Sequence, residues 1–589
     1  MDQKVSPIIS HHADLCVVGG GLAGMLTAIA AARRGVSVVL MQDRPMLGGN
    51  CSSEIRMWAL GAHGNNNRET GILEEILLEN MRRNPERSYA IWDTILYEKV
   101  VCEPNITLLL NCTCMQAETN DSRVLSVTGW QLTTYTFHNV AAKLFADCSG
   151  DSVLAPLTGA AFRMGRESRQ EFGEDIAPEQ ADKKTMGLSC LLQARELDHK
   201  VEFVPPAFAY QYTEEDLAHR NHSLEDQNFW WIEIGGEDDA IAGAEAAREE
   251  LLKIALGVWD HIKNRGNHGA DNWELEFVGF LPGKRESRRY EGDHILTQND
   301  VRAEGRFEDL IAYGGWSMDD HHPAGFYYRG EPTIYHQAPS PFGIPYRCLY
   351  SRSLENLFCA GRNISVTHAA MSSCRVMATC AILGQAAGTA AALCLENNIL
   401  PRELYQRGVG RLQQALMEDD CYLPWHTREM PELTNNARIS SSEGDPEVLR
   451  NGVDRPIGEK DNGLLLPFGG WVEYAWDEPS RVEEIRIVFD SDLNREQSVQ
   501  GPQRPLDARR PMLCNRPIGY PPFPFPKTMT RAFRLELYGE DGLLWAKEIT
   551  DNCQRLVRIP CGETGTCLRL IPLEGYGCEA SHIFGFDIR

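Results

Sequence analysis

A glycine-rich turn between a strand and a helix constrains this sequence more than any other feature. Gly19, Gly21 and Gly24 form a GxGxxG motif that directly follows the apolar run 15–18 and precedes an Ala-rich helical stretch. A second apolar run, 36–41, follows, so the pattern predicts a βαβ unit. In such a unit the glycines permit a tight turn, the approach of a pyrophosphate and close packing of the helix on the strand. Because a helix N-terminus also favours a diphosphate, the sequence predicts dinucleotide binding.

The residue expected to bind the ribose departs from the usual pattern. An acidic side chain commonly ends the second strand of this unit and binds the ribose hydroxyls. Here Gln42 occupies that place, with Asp43 beside it. A glutamine amide can hydrogen-bond ribose hydroxyls, though more weakly than a carboxylate. We therefore predict Gln42 and Asp43 as ribose contacts.

Composition excludes several classes of partner. The 589 residues include 83 acidic and 58 basic side chains, a formal net charge of −25. This charge repels nucleic-acid phosphates and anionic lipid headgroups, so neither is an expected partner. Residues 1–21 lack the pattern of a secretory signal, which predicts a cytoplasmic protein. The longest apolar run, 376–395, is rich in Ala and carries Gln385, so we expect a buried core helix and no membrane span.

The first two thirds of the chain contain two predicted domains. Residues 1–156 form the first part of a dinucleotide-binding domain, and residues 157–334, which mix β-like runs with helices and many aromatic side chains, form an inserted α+β substrate domain. A buried strand at 356–361 and a long helix at 372–395 then return the chain to the first domain. We therefore assign residues 335–430 to the return segment and its linker helices.

The last part of the chain has a different pattern. From about residue 438 to 589, apolar and polar residues alternate between Pro- and Gly-rich turns. This pattern predicts an all-β sandwich. Within it, the proline-rich residues 498–527 predict a long surface loop.

Several longer stretches carry a family resemblance. They are VVGGGLAGMLTAIAAARRG, QDRPMLGGNCSSEIRM, ADCSGD, GKRESRRYEGDHILTQNDV and the AGRNIS segment with the helix after it, and they span about residues 14–396. Together they resemble the FAD-dependent oxidoreductase family of glutathione-reductase-type flavoproteins. The resemblance implies FAD as cofactor, which the glycine motif alone does not specify. The expected fold class is therefore α/β: a Rossmann-type FAD-binding domain with an inserted α+β substrate domain, plus a C-terminal all-β sandwich.

The resemblance also implies which further residues lie near the cofactor. The turn ADCSGD and the return segment would approach the flavin and its ribityl chain, and a helix N-terminus at residues 371–374 would stabilise negative charge on the reduced ring. The loop after the second strand would lie close to the isoalloxazine. The cofactor-binding residues expected on these grounds are Gly48, Gly49, Ser52, Asp147, Gly150, Gly361, Arg362, Asn363, Ser372 and Ser373.

Six residues are candidates for the chemistry itself. Glu54 and Arg56 follow the second glycine loop and could transfer protons, orient the substrate or bind FAD phosphate or ribose. Arg285 and Arg288 belong to a basic cluster that could hold an electronegative substrate or form an internal ion-pair network. Two histidines flank the return segment as well. His368 is the preferred candidate for a base near the flavin ring, and His336 is a second candidate.

Other kinds of chemistry find little support in the sequence. The pairs His11–His12 and His321–His322 lack a third ligand at metal-site spacing, so no metal is expected. No GxSxG motif indicates a hydrolase. Although Cys51, His63 and His368 lie in segments expected near the flavin, the turns and the helix already supply non-covalent anchoring. We therefore predict non-covalent FAD.

The function expected from these features is hydride transfer between flavin N5 and a small polar, carbohydrate-derived substrate. One alternative is an enoate reductase of the fumarate type, in which the arginine cluster donates the proton. Another is a carbohydrate-binding flavoprotein without redox turnover, because residues 440–589 are similar to galactose-binding-like sandwiches of the discoidin type. The electron partner is unspecified, and the sandwich could contact a glycan or a neighbouring subunit in a homo-oligomer.

Overall fold

The computed structural model describes residues 6–224, 228–495, 512 and 514–589. The chain divides into two compact units, described separately below. The first comprises the residues up to Ala62, Arg87–Leu412 and a short stretch ending at Pro521; the second comprises His63–Glu86, residues 413–495 and Pro522–Arg589. The domain bounds predicted at residues 156 and 334 both fall inside the first unit and stay predictions.

The helices are numbered here in chain order. They are α1 (Leu22–Ala32), α2 (Ile72–Arg83), α3 (Tyr89–Val101), α4 (Leu154–Thr158), α5 (Arg169–Phe172), α6 (Glu214–Leu217), α7 (Ala244–Asp260), α8 (Gln298–Arg302), α9 (His368–Cys374), α10 (Met377–Asn397), α11 (Pro401–Glu418) and α12 (Glu432–Asn436). Single 3₁₀ turns lie at Gly49–Cys51, Gly325–Tyr327, Tyr346–Cys348 and Pro446–Arg450, and a π-helical turn extends α7 over His261–Arg265.

The strands are numbered in the same way. They are β1 (Ile8–Val18), β2 (Val38–Met41), β3 (Ile106–Leu109), β4 (Cys112–Asn120), β5 (Arg123–Gln131), β6 (Thr136–Asp147), β7 (Phe162–Arg163), β8 (Leu188–Ser189), β9 (Leu192–Glu196), β10 (Glu233–Ile234), β11 (Trp273–Val278), β12 (Gly283–Lys284), β13 (Arg289–Tyr290), β14 (Leu310–Gly314), β15 (Met318–His321), β16 (Thr333–His336), β17 (Phe342–Pro345), β18 (Leu357–Cys359), β19 (Arg438–Ser441), β20 (Leu464–Pro467), β21 (Val472–Phe489), β22 (Thr530–Gly539), β23 (Gly542–Ile549), β24 (Leu556–Gly575) and β25 (Ala580–Ile588).

A mainly parallel sheet organises the first unit. Strands β3, β2, β1 and β6 lie side by side in parallel, and β18 pairs in parallel with the end of β6. The antiparallel hairpin β4–β5 pairs with the beginning of β6. The last four residues of β1, Leu15–Val18, and all of β2 are buried, as expected where a sheet is covered on both faces, whereas the first residues of β1 are exposed. This arrangement confirms the predicted α/β fold class and brings the strand ends of β1, β2, β6 and β18 to one edge.

Helix α10 packs directly on α1. A Cβ atom on Gly384 would lie 2.1 Å from the Ala23 carbonyl oxygen, and one on Gly388 would lie 2.2 Å from that of Thr27. The hydroxyl of Thr27 also donates to the Gly384 carbonyl at 3.0 Å. By length and hydropathy alone α10 could cross a membrane, but 94% of its most apolar window is buried inside the protein. The prediction of a buried core helix is therefore confirmed.

The region between β7 and β16 has a core of its own. Apolar side chains of α7 pack with those of β8 to β11 and with the aromatic segment that precedes β10, including Phe229 and Trp231. The strands here are short and antiparallel, in pairs or threes. This mixture of one long helix with small antiparallel sheets agrees with the α+β character expected for the substrate domain.

The proline-rich segment departs in part from the sequence prediction. Residues 498–511 and 513 of the predicted surface loop lie outside the described part of the chain. The described remainder up to Pro521 groups with the first unit. Asn515 Oδ1 accepts the Ala194 N–H at 2.9 Å and its Nδ2 donates to the Leu224 carbonyl at 2.8 Å, and the backbone of Arg516 forms a β-bridge with that of Arg195. Asn515 is buried, whereas Ile518, Gly519 and Pro521 are exposed, so the described stretch packs against the first unit at one end and faces solvent at the other.

The second unit is built on one antiparallel sheet. The strand order is β20-β25-β21-β24-β22-β23, with β19 pairing the start of β21. The long strands β21 and β24 enclose a core that includes Tyr474, Ile487, Phe533 and Phe586. This all-β architecture confirms the fold class predicted for the C-terminal part.

Helix α2 belongs to this second unit, although the sequence analysis placed it in the first domain. Leu78 on α2 is fully buried in the core of the antiparallel sheet. The Glu74 carboxylate forms a buried ion pair with Arg495 at 2.8 Å and accepts a hydrogen bond from Ser491 at 2.7 Å. The apolar stripe of α2 alone does not say which sheet it covers, and for that reason the prediction was wrong.

Candidate active site

The turn after β1 contains glycines where a side chain does not fit. Gly19 has φ +103°, and a Cβ atom there would lie 2.6 Å from the carbonyl of Cys148. A Cβ on Gly24 would lie 1.8 Å from the Gly19 carbonyl oxygen. Both separations are shorter than real Cβ contacts, so the turn and the packing of α1 against it require glycine at these positions.

A second glycine loop lies opposite this turn. The Gly48 N–H donates to the Gly20 carbonyl at 2.9 Å, and Gly48 and Gly49 have φ of +100° and +61°. A Cβ on Gly21 would meet only the Gly49 Cα, at 3.8 Å. The first N–H groups of α1 have no acceptor within the helix. This side-chain-free space beside a helix N-terminus fits a diphosphate, so these residues fit the dinucleotide that the sequence predicts.

Two predicted cofactor residues hold these loops in place. Gln42 is buried, its Oε1 accepts the Gly20 N–H at 2.7 Å, and its Nε2 donates to the Met46 carbonyl at 2.9 Å. The Gln42 amide thus joins the two backbone segments, and its predicted contact with the ribose stays a prediction. Ser52 is also buried and donates its hydroxyl to the Gly49 carbonyl at 2.8 Å. Asp43 is exposed, and its role at the ribose stays a prediction.

Asp147 connects the end of β6 to the return segment. Its buried carboxylate accepts hydrogen bonds from the Ser149 hydroxyl, the Leu154 N–H and the Tyr290 hydroxyl at 2.6, 2.8 and 2.7 Å. The Asn363 amide donates to the Asp147 carbonyl at 3.2 Å. Burial raises the pKa of Asp147, against the effect of these hydrogen bonds. Asp147 and Asn363 thus shape the turn expected near FAD.

The sequence analysis did not single out Asp151, which joins three of the recognised motifs. Its carboxylate accepts hydrogen bonds from Lys284, Arg362 and Ser287 at 2.6, 2.7 and 2.8 Å. Burial would raise its pKa, but the two cations outweigh this effect and lower the pKa to about 2. A Cβ on Gly150, which has φ +74°, would lie 2.9 Å from Arg362 Nε. Arg362 is therefore held beside the turn by an ionised aspartate.

The glycine loop after β2 reaches the same place. The Asn50 amide donates to the Lys284 carbonyl at 3.0 Å, and a Cβ on Gly283 would lie 3.0 Å from Ile55. The structure thus brings the glycine loops, the ADCSGD turn, β12 and the return segment after Gly361 to one edge of the sheet. Open α/β sheets bind ligands at this edge.

The helix after the return segment differs from the prediction. The sequence predicted one helix over 372–395 with its N-terminus at residues 371–374, but the chain forms two helices separated at Arg375 and Val376. Thr367 caps α9 by accepting the Ala370 N–H, so Ser372 and Ser373 lie in the C-terminal half of that helix. Their hydroxyls donate to the Ala369 and Trp316 carbonyls at 2.6 and 2.5 Å. The proposed dipole at 371–374 is therefore wrong.

His368, the residue predicted as a base, lies in a buried ionic network. Its Nδ1 and Nε2 bond to Glu286 and Asp320 at 2.9 and 3.1 Å, and Glu286 also pairs with Arg289. Arg289 in turn pairs with Glu167 at 2.8 Å. Burial disfavours the charged ring, but the two carboxylates outweigh it and raise the pKa of His368 to about 10. A protonated imidazole cannot accept a proton, so these two carboxylates oppose a role as base, and that role of His368 stays a prediction.

A second buried network surrounds Arg285. Its guanidinium donates to the Ser189 hydroxyl and the Trp230 carbonyl at 2.6 and 3.0 Å and pairs with Glu233 at 3.1 Å. Burial lowers the pKa of Arg285, against the opposing effect of Glu233.

Glu233 links this network to strand β15. It bonds to His321 Nδ1 at 2.7 Å, and His321 Nε2 lies 3.4 Å from Asp319. Asp319 also accepts hydrogen bonds from Thr333 and from Arg375 Nη2, at 2.5 and 3.1 Å. Burial would raise the pKa of Asp319, but His321 and Arg375 hold it well below the usual range.

Two groups of this network stay available to a ligand. Among the residues that the structure describes, Arg375 Nε has no hydrogen-bond partner, although the atom is buried. Tyr335 lies directly opposite Asp319 across the β15–β16 hairpin and is largely exposed. Burial around its hydroxyl, followed by the Asp319 charge, raises the pKa of Tyr335 to about 12. Arg375 and Tyr335 therefore each place a hydrogen-bond donor beside this network.

The other predicted catalytic residues lie elsewhere around this region. Arg56 is held between the rings of Tyr89 and Phe277 and donates to Gln193 at 3.0 Å. Glu54 lies 3.5 Å from Arg44, and burial raises its pKa. Arg288 donates to the Asp151 carbonyl at 3.4 Å. His336 lies in β16, opposite Met318 of β15. Their catalytic roles stay predictions.

Cys51 is sequestered within the second glycine loop. Its thiol donates to the Gly48 carbonyl at 3.0 Å and is almost fully buried. Burial raises the pKa of this thiol far above its usual range, so the nucleophilic thiolate is disfavoured. Non-covalent binding of FAD stays a prediction.

Comparison with known proteins gives one strong match. A family model described as FAD dependent oxidoreductase matches residues 14–416. Among curated proteins no match was found.

Three solved structures that are similar to parts of this chain share little sequence with it. A geranylgeranyl bacteriochlorophyll reductase-like protein from Thermoplasma acidophilum is 10% identical, covers 70% of this chain and 86% of its own, and gives a TM-score of 0.29. The p-nitrophenol 4-monooxygenase of Pseudomonas putida DLL-E4 is 13% identical over 69% and 86% of the chains, with a TM-score of 0.31. A family 32 carbohydrate-binding module from Streptococcus pneumoniae EndoD is 17% identical over 27% and 97%, with a TM-score of 0.19. These scores are too low to support an argument about function.

Proposed function

This chain belongs to the FAD dependent oxidoreductase family, and from that premise we propose that it oxidises or reduces a small polar, carbohydrate-derived substrate bound against Arg375 and Tyr335. The observation that carries the proposal is the buried, unpartnered Nε of Arg375 beside an otherwise hydrogen-bonded ionic network. An unsatisfied donor in such a place is costly unless a ligand supplies an acceptor. A substrate hydroxyl, carbonyl or carboxylate oxygen is such an acceptor.

The cofactor would be held by the residues at the carboxyl edge of the parallel sheet. Gly19, Gly21 and Gly24 with the loop at Gly48 and Gly49 form the space for its diphosphate. When bound, FAD supplies the capacity to accept or donate a hydride. Asp151 on the ADCSGD turn and Arg362 on the return segment form an ion pair beside that edge.

The network of Arg285, Glu233, His321, Asp319 and Arg375, called the substrate-facing network below, is connected to the cofactor edge of the sheet at two places along the chain. Arg285 directly follows β12, whose Lys284 bonds to Asp151. Arg375 lies in the break between α9 and α10, and the N-terminal turn of α10 bonds to the loop after the second glycine motif, through the Ala378 N–H and the Leu60 carbonyl. These connections support a substrate position between the return segment and the β15–β16 hairpin.

Each group of the network has a distinct task in this proposal. Arg375 and Arg285 bind and orient electronegative oxygens of the substrate, while Asp319, Glu233 and His321 fix those guanidinium groups. Tyr335 keeps its proton at neutral pH, as an ordinary tyrosine does, and its pKa raised to about 12 makes that proton harder to lose. Its Oη can therefore donate a hydrogen bond, or a proton when the substrate oxygen gains charge.

Substrate screening with matched variants tests this proposal. Anaerobic bleaching of the bound flavin is followed with sugars, polyols and sugar acids, and reoxidation of the reduced flavin with unsaturated acids. We expect a carbohydrate-derived compound to react, and Arg375→Gln to lower its kcat/KM about 10- to 100-fold, the loss typical of a hydrogen bond from a charged group. Arg123→Gln, a change at an exposed arginine of the same unit, should leave the reaction unchanged.

The same screen separates the alternatives. Reaction with unsaturated acids only would assign the chain to enoate reduction. Glycan binding by the full-length protein with a flavin that reacts with no compound would favour a binding function without redox turnover. Equal kinetics of the wild type and Arg375→Gln would contradict the proposed substrate position.

A further inference from the structure

Four metal-ligating side chains meet in the region between β9 and β11, apart from the candidate active site. Glu214, His222, His261 and His268 each place one ligand atom within 4.8 Å of all the others. His261 Nε2 lies 3.1 Å from His268 Nε2 and 3.0 Å from Glu214 Oε2. The Glu214 carboxylate also lies 3.3 Å from His222 Nε2 and 3.5 Å from His268 Nε2.

Backbone carbonyls orient two of the imidazoles. His222 Nδ1 lies 2.7 Å from the Arg220 carbonyl, and His261 Nδ1 lies 3.2 Å from the Tyr212 carbonyl. A carbonyl can only accept, so each Nδ1 carries a hydrogen and donates it. In the neutral ring this leaves the Nε2 lone pair directed at the shared centre. The same outer contact orients the histidine ligands of protein metal sites.

The separations match those of a four-coordinate ion. With zinc–nitrogen bonds of about 2.0–2.1 Å, tetrahedral geometry places neighbouring ligand atoms roughly 3.3 Å apart. Four of the six separations, those given above, lie close to this value, with Glu214 Oε2 facing His261 and His268 and its Oε1 facing His222. Two imidazole lone pairs that face one another at 3.1 Å repel each other unless a proton or a cation lies between them.

Glycine at position 266 leaves room at the centre. A Cβ atom on Gly266 would lie 2.3 Å from His268 Nε2 and 3.0 Å from His261 Nε2. Its φ is −90°, which any residue adopts, so glycine is needed here for space and not for backbone conformation. The π-helical turn that includes His261 is of a kind that often occurs at functional sites.

We propose that Glu214, His222, His261 and His268 bind one divalent transition-metal ion of the zinc class as a structural site. Three imidazole nitrogens favour such an ion over magnesium or calcium, which prefer oxygen ligands. Four protein ligands complete a tetrahedral sphere and leave no position for a reacting water, so the ion stabilises the fold and takes no part in the redox reaction. The sequence analysis expected no metal. The four ligands come from three segments spread over residues 214–268, so no short sequence motif reveals this site.

The ion would fix a loop that supports the substrate-facing network. Arg220, two residues before His222, donates to the Gly325, Tyr328 and Gly330 carbonyls at 3.1, 2.6 and 2.8 Å. The Asn221 carbonyl accepts the Trp231 indole N–H at 2.9 Å. The neighbouring Trp230 carbonyl accepts from Arg285. Metal removal should therefore loosen this part of the first unit.

Metal titration of the full-length, tag-free holoprotein tests the site. After chelation and dialysis, Zn²⁺ alone is titrated and followed by calorimetry and elemental analysis, and Co²⁺ is added separately for its visible spectrum. We expect one tight equivalent of Zn²⁺, intense Co²⁺ bands of tetrahedral coordination and a higher thermal midpoint with metal than without. Absence of tight stoichiometric binding by the wild type would overturn the proposal.

Matched variants assign the binding to these side chains. His268→Ala and Gly266→Ala should each weaken zinc binding by at least about tenfold, the first by removing a ligand and the second by filling the centre. His199→Ala, a change at an exposed histidine of the same region, should bind as the wild type does.

Folding of the variants is checked by circular dichroism and by flavin content. If His268→Ala fails to fold, Glu214→Gln decides, because Glu214 is largely exposed and its loss removes a ligand without opening a core. Zinc binding that survives in Gly266→Ala and Glu214→Gln with unchanged affinity would overturn the assignment.

Discussion

Gly24 shows how closely one residue can be specified by its surroundings. A methyl group at this position would lie 1.8 Å from the Gly19 carbonyl oxygen, and a backbone atom cannot move aside as a side chain can. His368 shows the opposite case, since its role depends on partners that are distant in sequence, Glu286 and Asp320. The glycine role was therefore evident from a local motif, whereas the histidine role was not.

Replacement of Gly24 by alanine should abolish FAD retention. The added methyl group forces the start of α1 away from the turn and so destroys the space for the diphosphate. We expect flavin per protein, measured by absorbance after gel filtration, to fall at least about tenfold. Gly410→Ala is the control, because a Cβ there meets nothing within 4 Å and alanine favours the helix. Normal flavin content in Gly24→Ala would contradict the proposal that this turn binds the diphosphate of FAD.

Replacement of His368 by glutamine should destabilise the first unit in a pH-dependent way. The pKa of His368 is about 10 in the folded protein, above the ordinary 6.5, so its stabilising effect is complete below pH 6.5 and is lost as the pH rises to 10. Breaking a buried ionic contact costs about 3–5 kcal/mol. We expect thermal midpoints of wild type and variant to differ most near pH 6 and to converge toward pH 10.

The exposed His199 supplies the control for this measurement. His199→Gln should show the same midpoint as the wild type throughout the pH range, because its ring lies at the surface. A difference between wild type and His368→Gln that does not change with pH would contradict the assignment of a positive charge to His368.

At the scale of the elements, periodicity predicted most helices and strands but not where they end or what they cover. The βαβ unit, the buried α10 and the alternating strands of the second unit follow from local apolar patterns. The break at Arg375 was not visible, because residues 368–395 form one nearly continuous run of small and apolar residues. Asp319 and Tyr335 were missed because only the pairing of β15 with β16 brings them together.

The contact of α10 with α1 provides a test at this scale. A Cβ on Gly388 would lie 2.2 Å from the Thr27 carbonyl oxygen, so Gly388→Ala must separate the two helices. Overpacking of this kind costs about 1–3 kcal/mol. We expect a lower thermal midpoint for flavin release, measured by flavin fluorescence, while Gly410→Ala shows no decrease. An unchanged midpoint in Gly388→Ala would contradict the close packing.

At the scale of the whole molecule, two compact units share the chain in an interleaved order. The second unit takes α2 from the N-terminal third of the sequence, and the first takes the stretch ending at Pro521 from within the C-terminal third. Sequence texture marks where β-rich sequence begins, at about residue 438, but it carries no information on which unit buries an isolated helix. The proposed metal site was not predicted either, because its four ligands are brought together only by the fold.

The buried ion pair of α2 tests this interleaved order. Glu74→Gln removes the charge that balances Arg495 and should lower the thermal stability of the second unit, with a cost of about 3–5 kcal/mol. Glu79→Gln, on the same helix, affects an i,i+4 pair with partly exposed Arg83 and should cost less than about 1 kcal/mol. Calorimetric scans of both variants decide, and equal small effects would show that α2 does not stabilise this unit.

The central claim is that a substrate held by Arg375 exchanges a hydride with FAD, and an isotope experiment tests it most directly. The carbohydrate-derived compound found by screening is prepared with deuterium at the carbon that is oxidised, and anaerobic flavin bleaching is followed by rapid mixing. Deuterium should slow the bleaching severalfold. Arg375→Gln should raise the substrate concentration at which the bleaching rate is half-maximal. Equal rates for the two isotopic forms, together with unchanged kinetics in Arg375→Gln, would contradict the account.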